Sequence, residues 1–177
     1  VFVAKSLLML NPKAIIPIVK CIKAYDFNEA VQYLMIDFLN IDRNTLQKFA
    51  QDSILSEDVA MQYLSVKAMS VLPPNASNEN LLKQSVGRYD MAMKGWPIAV
   101  LALYKSSNIY ELIGPYLNHT ELREVSLRAL AASTDEGDRK QFINILSAVE
   151  PDKYILNILL KSSREEDIKR WLLYFKD

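Results

Sequence analysis

His119 and Cys21 are the only histidine and the only cysteine in the 177-residue chain. The side chains most often used as base, nucleophile or soft-metal ligand therefore occur once each, far apart in sequence. A zinc site needs three or four such ligands at short spacings, and no Cys, Asp or Glu stands three or four residues from His119. Neither G-x-S-x-G, which exposes a serine nucleophile, nor G-x-x-x-x-G-K-[ST], which cradles phosphates, occurs. Acidic groups sit together at Glu57-Asp58, Asp135-Glu136 and Glu165-Glu166-Asp167, where paired carboxylates would suit general acid and base work. All three begin predicted helices, so they read as caps that satisfy backbone N–H groups. His119 reads as a solvated turn residue and Cys21 as core. The residues imply no catalytic centre, no metal and no cofactor.

The bulk composition narrows the classes further. Lys plus Arg and Asp plus Glu are both 21, so nothing in the net charge draws the chain to phosphate backbones or anionic lipid. Half of the residues are hydrophobic, yet no apolar run reaches the roughly 18 residues of a membrane span. A chain of this length buries about 70% of its unfolded surface without staples. One cysteine excludes an internal disulfide and points to a reducing, cytoplasmic setting or to a secreted chain that does not need bridges. The sequons at Asn75 and Asn118 read as chance. Val1 lies within an apolar run that looks like the middle or end of a helix, so the chain reads as a piece of a longer protein or as a mature chain whose leader has been removed.

What elements carry these residues? Gly occurs only 4 times and long alternating runs are missing, which leaves sheets little to turn on. Helices are well punctuated instead. Asn11-Pro12 closes the first, and Asp26 with Glu29 opens "FNEAVQYLMIDFLN". Asp42 is expected to cap "RNTLQKFAQDSIL" and Ser56 "EDVAMQYLSVKAMSVL". "PPNASNEN" reads as the longest loop, "LLKQSV" as a short helix, and Gly87 to Gly95 as an irregular connection ending at Trp96. Pro97 then fits the first turn of "PIAVLALYKSS". Asn108 is expected to cap "IYELIGPYLN", with Gly114-Pro115 kinking it or ending it early. Thr120 would cap "ELREVSLRALAAS", and Asp135 or Gly137 would open "DRKQFINILSAV". Pro151 opens "DKYILNILLKS", and Ser163 with Glu166 boxes "REEDIKRWLLYFK".

The same helix is written more than once. "FVAKSLLMLNP" from Phe2 and "LSVKAMSVLPP" from Leu64 share their apolar, Lys, small and Pro positions. Second helices of successive pairs can be anchored on Phe2, Leu34, Leu64, Leu101, Leu127 and near Leu156, about thirty residues apart. That beat marks a stack of helical hairpins rather than a bundle.

One unit, "GPYLNHTELREVSLRALAAS", resembles a HEAT repeat of the short type seen in phycobilisome-lyase-like and armadillo-like repeat proteins. Leu122 and Arg123 stand for the family's Val-Arg pair, Ser126 for the small residue where two helices approach, and Ala129-Leu130 for the end. "NILLKSSREEDIKRWLLYF" is similar, with Ile168-Lys169 in the pair and Leu172 where a small residue is usual. Two pairings of the last three helices remain open: "DRKQFINILSAV" begins a hairpin, or it is the third helix of an armadillo-like unit.

The resemblance implies an all-α fold, a right-handed α-solenoid of about five to six HEAT-like hairpins, filling residues 1–177 as one repeat domain. It also implies that second helices line a concave face. Lys67, Lys105, Arg128 and Lys161, with Lys5, fall on those helices and would form a shallow basic ladder, interrupted at Asp37. Trp96 either plugs a distorted repeat or faces a partner groove. The last helix, with Trp171 to Phe175, is apolar nearly all round and needs a cover. The function expected is that of a non-enzymatic scaffold binding another protein or peptide through the concave surface, with Lys67, Trp96, Lys105, Arg128 and Lys161 as candidate contacts. The alternative is nucleic-acid binding by the ladder, which the neutral charge disfavours; pigment-lyase chemistry rests on family analogy alone.

Overall fold

The computed structural model describes residues 41–148, and every regular element among them is helical. Seven α-helices follow one another: α1 Arg43–Ser53, α2 Val59–Val71, α3 Ala76–Arg88, α4 Met91–Leu103, α5 Tyr110–Ile113, α6 Arg123–Ala132 and α7 Glu136–Ser147. A 3-10 turn, Gly114–Tyr116, follows α5. The expected all-α character holds for these residues. Contacts divide the chain into two compact units, Val1–Ser85 and Val86–Asp177, and the division falls inside α3. The helices expected around Asp26, Pro151 and Ser163 lie outside the described residues, as do Lys5, Cys21, Lys161 and Trp171.

Local capping sets several boundaries. Asp42 accepts from the Asn44 and Thr45 N–H groups at 2.9 and 3.0 Å and starts α1 as expected. The Thr45 hydroxyl first, and then those backbone N–H groups, hold the Asp42 carboxyl below its ordinary pKa. Because the folded value is the lower one, this cap supports the fold above the unfolded pKa and fades as pH falls through the folded pKa. At α2 the cap is Asp58, not Ser56. Asp58 Oδ1 accepts from Ala60 N–H at 2.9 Å, while the Ser56 hydroxyl oxygen accepts from Asp58 N–H at 3.1 Å and shapes the approach. Asp135 caps α7 through Asp138 N–H at 2.8 Å.

In the first unit α1 and α2 pack as a hairpin. Leu46, Phe49, Ala50 and Ile54 are buried from one side of the pair and Ala60, Leu64, Ala68 and Met69 from the other. Each large apolar side chain so buried contributes roughly 1.5–3 kcal/mol. The expected long loop at "PPNASNEN" is instead mostly helix. Asn75 Oδ1 accepts from Asn78 N–H at 2.9 Å, and α3 begins at Ala76. Asn78 is fully buried, but its amide is paired in both directions with Gln47 and also receives Gln51 Nε2 at 3.2 Å. Polar residues that read as a loop are helical because α1 supplies their hydrogen bonds.

In the second unit α4 packs on α6, and α7 packs on the same α6. Ile98, Leu101, Ile113, Leu127, Leu130, Phe142 and Leu146 form the interior. The irregular connection expected from Gly87 to Gly95 is absent. Helix α3 runs through Gly87 to Arg88, only Tyr89 and Asp90 intervene, and α4 begins at Met91. Pro97 consequently lies inside α4 and not in its first turn. An interior proline forfeits one helical hydrogen bond, but Pro97, Ile98, Val100 and Leu101 are all buried, and that burial outweighs the loss.

Helix α4 ends in a Schellman motif: Ser106 N–H donates to the Leu101 carbonyl and Lys105 N–H to the Ala102 carbonyl, both at 3.1 Å. Lys105 therefore lies past the end of the second helix on which it was expected. It takes the left-handed position, φ 52°, where glycine is usual. Lys105→Gly is expected to stabilise the protein by about 1 kcal/mol, because the left-handed penalty of an L side chain is relieved. Urea denaturation checks this, and an unchanged or lower midpoint would count against the assignment of strain.

Asn108, expected to cap α5, is itself left-handed at φ 53° and does not cap. Gly114-Pro115 ends α5 early, as expected. Thr120 makes no cap either. The Leu122 and Arg123 N–H groups donate to the His119 carbonyl at 3.1 and 2.8 Å, and α6 starts at Arg123.

Candidate functional site

Three charged side chains of the second unit are buried, Lys94, Asp138 and Arg139; Arg139 pairs with Glu136 on its own helix, and the other two tie separate elements together. Asp138, 3% exposed in the first turn of α7, receives Ile109 N–H on both oxygens at 3.1 Å, Tyr110 N–H at 2.9 Å and the Ser133 hydroxyl at 2.6 Å. It thereby caps α5 from another helix, the task expected of Asn108. Spacing gives no sign of this, since Asp138 reads as an ordinary first-turn acid.

Lys94 is the second. It is buried, and its Nζ donates to the Val86 carbonyl in the last turn of α3. It also stands 5.5 Å from the centroid of the Tyr116 ring. A cation at a helix C-terminus meets unpaired carbonyls and the negative end of the macrodipole, which accounts for a lysine folded inward. Lys94 is the one charged residue of α4.

The exposed face of α4 carries no charge, and Lys94 stands on the opposite side of the helix, with the buried Ile98 and Leu101. Ala92, Trp96, Ala99 and Leu103 recur at i, i+4, i+7 and i+11, so they fall in one stripe. Trp96 is 39% exposed and Leu103 65%, with Met91 at 42% beside the start of the stripe. A soluble helix face ordinarily carries polar residues, and an apolar one centred on tryptophan is the usual mark of an interaction surface. Trp96 thus sits in mid-helix on this stripe and does not plug an irregular segment. The stripe is legible in the sequence only once Gly95 and Pro97 are accepted as helical.

The remaining expected contacts are dispersed. Arg128 is exposed on α6 but pairs with Glu124 one turn earlier. Lys67, on α2 in the first unit, lies 5.5 Å from the Tyr63 ring centroid, and partial burial lowers its pKa. Lys105 is exposed at the α4 cap, and Lys161 lies outside the described residues. The nucleic-acid reading gains no support from these placements. His119 is half-buried in the turn before α6, and its Nδ1 has no hydrogen-bond partner. The pairs at Asp58 and Asp135 are caps, as expected, while the Glu165 cluster lies outside the described residues. Among the described residues no three His, Cys, Asp or Glu stand together as metal ligands, and no helix is long and apolar enough to cross a membrane.

Compared with known protein families, with curated proteins and with solved structures, the chain matches none.

Proposed function

We propose that this chain is a non-enzymatic helical-repeat scaffold of the HEAT-like kind, which binds another polypeptide through the exposed side of its second helices. The observation that carries this is the uncharged, Trp-centred stripe of α4, whose only lysine is turned into the interior. Two packing features support the repeat reading. The helices anchored on Leu101 and Leu127, α4 and α6, pack directly on each other, as successive second helices must in a stack. The hairpin of α1 and α2 supplies the unit that a solenoid multiplies. Such a stack presents a broad, concave surface suited to holding a partner.

The test is site-specific photo-crosslinking in the native cell, with a benzophenone amino acid at Trp96 and, as control, at Lys140, an exposed position on α7. Polypeptide adducts are expected from position 96 and not from 140. No adduct at 96, or equal yields at both positions, would remove α4 as the binding surface. Mass spectrometry of the adduct identifies the polypeptide.

A further inference from the structure

We draw no further inference here: the strongest candidate, the exposed apolar stripe of α4 centred on Trp96 and Leu103, carries nothing beyond the reading already given, since nothing in the structure shows what covers it.

Discussion

Asp138→Ala is expected to cost about 3–5 kcal/mol. Its carboxylate is 3% exposed and receives two backbone N–H groups of the α5 start and the Ser133 hydroxyl. Each hydrogen bond to a charged group contributes about 1.5–3 kcal/mol, and alanine leaves the donors buried without an acceptor. The damage should be located as well as large: hydrogen exchange at the Ile109 and Tyr110 amides is expected to accelerate far more than at α6. Asp138→Asn keeps one carbonyl oxygen for those amides and is expected to lose less, about 1–2 kcal/mol. Asp135→Ala, which removes only a local cap, is expected to lose about 1 kcal/mol. Denaturant midpoints order the three variants. If Asp138→Ala is no worse than Asp135→Ala, the tie between α7 and α5 contributes little.

Ser126 is the second site of large effect, and there the sign depends on size. It is fully buried on α6, the helix against which both α4 and α7 pack, and its hydroxyl has no hydrogen-bond partner. Ser126→Leu forces a branched side chain into a filled interior and is expected to destabilise by about 3 kcal/mol or more. Ser126→Ala removes an unsatisfied hydroxyl at nearly constant volume and is expected to be neutral or to stabilise by up to about 1 kcal/mol. Thermal and urea unfolding of the pair separate a demand for smallness from a demand for a hydroxyl. A destabilised alanine variant would mean that the hydroxyl matters.

Ser126 also illustrates what sequence order conveys. By resemblance it is expected to be the small residue of a close approach, and it lies completely buried on the helix against which α4 and α7 pack. The resemblance does not indicate which helices meet there.

The helical class, the caps at Asp42 and Asp135 and the stop at Gly114-Pro115 were determined by the amino-acid sequence alone. In each case donor and acceptor, or ring and backbone, lie within one turn, so spacing along the chain is already spacing in three dimensions. Tertiary structure decided the rest. It carried α3 through Gly87 and α4 through Pro97, where local preference argues for a break and buried apolar area argues more strongly for a helix. It gave the capping of α5 to Asp138, whose partners lie 28 and 29 residues away. It gave Lys94, on the inner side of α4, the Val86 carbonyl at the end of α3 as its partner. Such outcomes depend on which groups the folded chain brings together, and the energies of burial and of satisfied hydrogen bonds that choose among them arise only once distant segments are in contact.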